Sequence, residues 1–219
     1  MRARPLLGEF LGTAMLVAGV VGSGIMAETL SPDDVGLQLL ENAAATAAVL
    51  YAIIVIFMPV SGASFNPAVT LAAWLLGHHD RRDVVPYIAA QVAGGIVGAI
   101  VANLMFDLAA VDWSTKSRTG ADLLLGEVVA TVGLLLVVFS LVRTDRMHLM
   151  AGTVAAYIGG AYFFTSSTSF ANPAVTIGRM FSDTFAGIEP TSAPGFVAMQ
   201  LVGVALIVPL VRFLYPSER

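Results

Sequence analysis

Charged positions cut this chain into a series of long apolar runs: Phe10–Ala27, Asn42–Gly77, Val84–Phe106, Val128–Val142, Leu149–Gly178 and Pro190–Val211. A bilayer core about 30 Å thick needs about 20 apolar residues per helical span. Four runs fit one span each, and Phe10–Ala27 reads as a retained first span although Arg2 and Arg4 before it superficially resemble a signal peptide. Asn42–Gly77 and Leu149–Gly178 are too long for one ordinary span. Each holds the same break, Ser61-Gly62-Ala63-Ser64-Phe65-Asn66-Pro67 and Ser167-Thr168-Ser169-Phe170-Ala171-Asn172-Pro173. Each is therefore expected to be a full span, a non-helical loop and a short second helix. Irregular backbone at membrane depth survives where protein or a wet cavity satisfies its polar groups, which points to a pore.

The pattern also repeats. Gly8-Glu9-x-x-x-Thr13 opens the first half and Gly126-Glu127-x-x-x-Thr131 the second. Asn66-Pro67-Ala68-Val69-Thr70 returns as Asn172-Pro173-Ala174-Val175-Thr176. Three spans per half turn the second half upside down relative to the first. The expected fold is an all-α membrane protein: six transmembrane helices plus two re-entrant half-helices in an inverted three-helix repeat. It forms a single domain, with repeats over 1–106 and 121–219. Asn is a strong N-cap and Pro is favoured at the first helical position, so Asn66 and Asn172 each start a helix, ending near Gly77 and Phe181. Such helices are roughly 18 and 15 Å long. Inversion brings their N-termini together at the midplane.

Composition agrees with a lipid setting: 57% of residues are hydrophobic and 12% charged, against roughly 25% charged in average soluble domains. No separate soluble domain fits in 219 residues, and a net charge of -4 gives no reason to expect nucleic acid. With no Cys there is neither a disulfide framework nor a thiolate metal site. No Ser-His-Asp, paired-carboxylate or metal-ligand pattern is visible, so an enzyme, a cofactor and a metal are not expected. Arg2, Arg4, Arg81, Arg82, Arg143, Arg146, Arg212 and Arg219 fall on the side of the N-terminus, and Lys116, Arg118 and Arg179 on the other. The positive-inside rule then makes both termini cytoplasmic in the cell (inner) membrane.

These residues resemble the aquaporin and glycerol-facilitator family over essentially the whole chain. Gly8-Glu9-Phe10-Leu11-Gly12-Thr13, both Asn-Pro-Ala boxes, Tyr87 to Gly95 and Gln200-Leu201-Val202-Gly203 carry the match. The resemblance implies one pore per subunit, a homotetramer in the lipid bilayer and a small neutral solute as partner. It also implies that Glu9 and Glu127 brace the two loops through backbone N–H groups; a snorkelling acid near a helix end is the alternative. The converging helix N-termini and the Asn66 and Asn172 amides would favour hydroxylated solutes over cations. Carbonyls of Gly62, Ala63, Ser64 and Phe65, and of Ser167, Thr168, Ser169 and Phe170, would line the path.

The chain departs from the family after the second box, where Val175 replaces the usual Arg. The remaining selectivity-filter positions, by counting, are Thr46, Gly160 and Ser169, so the filter is expected to be wide and uncharged. Arg179, one turn beyond Val175, is the alternative source of a charge at that place; the favoured reading has it line only the outer vestibule. Ser64 stands where a His is frequent. His78 and His79 read as a solvated loop beside Arg81 and Arg82, with pH sensing the less favoured reading. Gly94, Gly95, Gly98 and Gly203 suit close helix crossings. Val175 with Ser182-Asp183-Thr184-Phe185-Ala186-Gly187 resembles bacterial aquaglyceroporins associated with arsenic resistance. Glycerol, metalloid hydroxides such as arsenous acid, and water are the expected cargo. The alternatives are a general water and glycerol channel without a metalloid role, and a poorly conducting membrane structural protein.

Overall fold

The computed structural model describes residues 3–216; Arg2 and Arg219, counted above for orientation, lie outside them. The described residues form eight α-helices: α1 (Ala3–Leu30), α2 (Val35–Ser61), α3 (Pro67–Leu75), α4 (Arg81–Met105), α5 (Ala121–Arg143), α6 (Met150–Phe164), α7 (Pro173–Gly178) and α8 (Ala193–Leu214). Five of them, α1, α2, α4, α5 and α8, are long and apolar enough to cross a membrane. With 15 residues, α6 is shorter, and a 3-10 turn at Met147–Leu149 extends it to about 28 Å, the thickness of a hydrocarbon core. The two remaining helices are the expected half-helices. Their combined length, with the 3-10 turn Arg179–Phe181 that continues α7, is also about 28 Å. The first half-helix stops at Leu75, two residues before the expected Gly77, where a left-handed Gly77 (φ 82°) closes the turn.

Glycines set how closely the long helices approach. A Cβ on Gly94 would lie 2.3 Å from the Phe10 carbonyl oxygen, and one on Gly98 would lie 2.3 Å from that of Ala14. Backbone thus meets backbone where α4 crosses α1. Gly95 does the same against Ala174 of α7, while a Cβ on Gly203 of α8 would press on the Thr131 side chain of α5 at 2.8 Å. These are the four glycines the sequence marks for close crossing. The apolar core follows: Val17, Val21, Ile53 and Ala102 in the first half and Leu135, Phe139, Ile207 and Val211 in the second are all buried.

The connector between halves runs across the far end of α7. Ser114 N donates to Met180 O at 2.9 Å, and Glu189 N to Lys116 O at 2.9 Å. Trp113 packs on Phe181 with ring centroids 4.6 Å apart. The half-helix ends at that face are thereby roofed by chain 107–120.

Candidate functional site: two capped half-helices in one cavity

Asn66 and Asn172 begin α3 and α7 as the cap geometry predicts. Asn66 Oδ1 accepts from Ala68 N at 2.8 Å, and Asn172 Oδ1 from Ala174 N at 2.9 Å and Val175 N at 3.3 Å. Pro67 and Pro173 occupy the first turn, where a missing N–H costs nothing. The two loops are tied to each other by a reciprocal pair. Asn66 Nδ2 donates to Ala171 O, and Asn172 Nδ2 donates to Phe65 O, both at 2.8 Å. One amide N–H of each Asn is spent on this bridge. A carboxamide nitrogen has two, and both Asn residues line the central cavity.

The backbone before each Asn is unusual in the same way twice. Ala63 and Phe65 (φ 51° and 49°), and Ser169 and Ala171 (φ 55° and 48°), are left-handed three and one residues before the cap. Non-glycine residues held there cost roughly 1–3 kcal/mol each unless the surroundings fix them. Two buried acids do so. Glu9 accepts from Ser64 N at 3.1 Å, Phe65 N at 2.8 Å, Ser61 Oγ at 2.6 Å and Gln91 Nε2 at 2.7 Å. Glu127 accepts from Phe170 N and Ala171 N, both at 2.9 Å, and Gln200 Nε2 at 2.6 Å. Both are fully buried, which excludes snorkelling. Each glutamine also donates to a threonine four residues past the cap, Gln91 to Thr70 and Gln200 to Thr176, at 2.9 Å. Sequence reasoning used Gln91 and Gln200 as part of the family match and missed this bracing role. The signal was their paired placement in corresponding spans.

A cavity of about 470 Å³ runs past these loops, from His78 and Met147 near one end to Arg179 near the other. Gly62, Ala63, Ser64, Phe65, Ser169 and Phe170 line it; Ser167 and Thr168 do not. Phe65 O is already occupied by Asn172, so the acceptor ladder is shorter than expected. His78 is exposed and stacks on Phe139 at 6.3 Å, and the half-buried His79 meets Tyr87 edge-on at 4.6 Å. Burial, then the charge of Arg143, holds the His78 imidazole below its usual pKa.

Three of the four counted filter positions, Thr46, Ser169 and Val175, line the cavity. Gly160 does not. It is exposed, and a Cβ there would meet nothing within 4 Å. The phase of α6 explains the difference. Val154, Ile158 and Tyr162, four residues apart, face the cavity, and at 100° per residue Gly160 points away from them. Tyr162 takes the place assigned to Gly160, its hydroxyl 3.1 Å from Thr46 Oγ1. Arg179 also lines the cavity, at 2% exposure and with its guanidinium 3.5 Å from the Phe170 ring centroid. Tyr162 and Arg179 thus add an aromatic ring and a cation to a lining expected to be small and uncharged.

Six long helices around two re-entrant half-helices, their N-termini joined in one cavity, define a membrane protein of the pore-forming inverted-repeat class. The model of the major intrinsic protein family matches residues 1–171, and the chain belongs to that family. It is 48% identical over 216 residues to aquaglyceroporin AqpS of Rhizobium meliloti, covering 99% of this chain and 92% of that protein. It is 29% identical over 236 aligned residues to aquaporin AqpM of Methanothermobacter marburgensis, covering 91% and 92%. The structure of the aquaglyceroporin from Plasmodium falciparum superimposes with a TM-score of 0.67 at 20% identity, covering 97% of this chain and all of that one.

Proposed function

We propose that this chain is a passive channel for small uncharged hydroxylated solutes: glycerol-class polyols, water and, in the same chemical class, metalloid hydroxides such as arsenous acid. The observation that supports it best is the reciprocal Asn66–Asn172 bridge, with both Asn residues and residues of both loops lining one cavity. A neutral molecule carrying both donors and acceptors exchanges hydration for the polar groups of such a lining at little cost. A cation meets two helix N-termini and is disfavoured. In this reading Asn66, Pro67, Ala68, Asn172, Pro173 and Ala174 form the pore centre, and Thr46, Tyr162, Ser169 and Val175 the narrow region. The similarity to an aquaglyceroporin over nearly the full length favours polyols among the cargo. Family membership supports a homotetramer, and the arginine distribution supports cytoplasmic termini in the inner membrane. The repeats correspond to 1–106 and 121–219.

Stopped-flow light scattering on reconstituted vesicles tests the proposal, comparing water, glycerol and arsenous acid. Glycerol flux well above that of empty vesicles is expected, and Val175→Arg should cut it about tenfold, the effect of 1.4 kcal/mol on a barrier. Flux equal to empty vesicles would defeat the channel reading. Unchanged flux in Val175→Arg would remove Val175 from the narrow region.

A further inference from the structure

The cavity lining holds one guanidinium and no carboxylate, although the buried Glu127 lies within electrostatic reach of it. Among the described residues that border the cavity there is no Asp or Glu, while Arg179 is buried to 2% exposure there. Arg179 Nε donates to the Ala186 carbonyl, and its guanidinium carbon lies 3.5 Å from the Phe170 ring centroid. A second guanidinium, Arg118, sits over the same ring at 5.0 Å, with its Nε donating to Gly187 O at 2.8 Å. Neither cation has a carboxylate hydrogen-bond partner among these contacts. Glu127, the buried acid of this loop, is committed to Phe170 N, Ala171 N and Gln200. Phe170 also packs edge-on against Phe196 at 5.0 Å, so the ring that carries both guanidiniums is itself held.

We infer that Arg179, positioned by Phe170 and the Ala186 carbonyl, is the residue that excludes cations at this end of the pore. The inference rests on the channel reading above. The charge belongs on this helix face for a geometric reason: Val175 and Arg179 are four residues apart, so the long arginine side chain, reaching back one turn, serves the space that a short apolar Val175 leaves open. Low local dielectric makes a fixed charge act strongly on a passing ion and weakly on a neutral polyol. Arg118 adds a second positive charge near the same ring but does not itself line the cavity. The sequence alone suggests an uncharged narrow region, whereas the fold returns a charge to it from one turn away.

The test is a set of reconstituted variants assayed in parallel for glycerol flux and for potassium and methylammonium permeation. Wild type is expected to pass glycerol and to exclude both cations. Arg179→Gln is shorter but keeps an amide donor and removes the charge, and should raise cation permeation about tenfold or more relative to the glycerol flux measured in the same vesicles. Val175→Arg placed in the Arg179→Gln background restores a guanidinium to the same face and should reverse most of the leak. A structural brace at 179 would not be rescued from position 175. If Arg179→Gln does not reach the membrane, Arg179→Lys and Phe170→Leu serve: Lys should hold exclusion and Leu, by releasing the guanidinium, should leak. Cation exclusion unchanged in Arg179→Gln, or in Phe170→Leu, overturns the inference and leaves the channel reading standing. A wild type that passes no glycerol overturns both.

Discussion

Single residues here work against their intrinsic preferences and are held by partners far away in sequence. Phe65 and Ala171 are left-handed because Glu9 and Glu127 each capture the N–H groups of two consecutive residues. Glu127→Gln replaces one acceptor oxygen by a donor and leaves a buried N–H unpaired, at a cost of about 1–3 kcal/mol. The expected outcome is a lower thermal midpoint in detergent, with Asp at the same position a poor substitute because it cannot span the gap. The acids were legible in the repeated Gly-Glu-x-x-x-Thr pattern; the left-handed backbone was not, since Ala, Phe and Ser carry no signal for it. Lys116, the chain's single lysine, gives a separate check. Burial, then the neighbouring charges of Arg118 and Arg179, pull its ammonium pKa down to about 8, against the opposing pull of Glu28 and Asp183. Its Nζ donates to Phe185 O at 2.7 Å. Because the charged form is the disfavoured one, Lys116 should lose its proton as pH rises through about 8, well before a lysine far from other cations does. Isotope-labelled methylation of this one amine, followed by NMR across pH 6 to 11, reads that titration directly.

Between elements, glycine and phase decide what the sequence pattern leaves open. Where α4 crosses α1, Gly94→Ala would drive a Cβ to 2.3 Å from the Phe10 carbonyl, which cannot move without its helix. Overpacking of this kind costs about 1–3 kcal/mol, and a fall in detergent thermal stability is expected. Gly160→Ala should do nothing comparable, because its Cβ enters open space on the side of α6 away from the cavity. Equal glycerol flux in wild type and Gly160→Ala is the expected result, and a sharp loss would return Gly160 to the pore. The count from Asn172 back to Gly160 assumed that the loop keeps a fixed rise. In the fold, Thr165–Ala171 takes a tight path with three left-handed residues, and that path sets which face of α6 turns inward. The C-terminal end of α3 shows the converse, an element finished by its neighbours. Arg212 donates to Leu75 O at 2.7 Å and Arg143 to Leu76 O at 3.5 Å, placing cations at the negative end of the half-helix.

At the scale of the whole molecule, the two halves carry equivalent bonds at equivalent positions: acid to loop, glutamine to acid and threonine, asparagine to the opposite loop. The arginine distribution predicts both termini on the cytoplasmic side. With no native Cys, single cysteines at Asp33 and Thr144 report sidedness without background. In intact cells an impermeant maleimide should label Asp33→Cys and spare Thr144→Cys; the opposite pattern would invert the topology. Chemical cross-linking in membranes should trap species up to four copies if the family's assembly holds here.

The sequence by itself determined the spans, the duplication, the two capped half-helices and the repeated acids, whose hold on the loops only the family resemblance implied. Those features follow from apolar run length, N-cap chemistry and repeated residues, all local or directly countable. Tertiary structure alone decided that Tyr162 rather than Gly160 faces the cavity, that a buried Arg179 shares the cavity lining with Val175, and that each Asn spends one amide hydrogen on the opposite loop. These depend on loop path, helix rotation and the meeting of segments about a hundred residues apart, where small shifts in angle redirect a side chain and no local pattern records the choice.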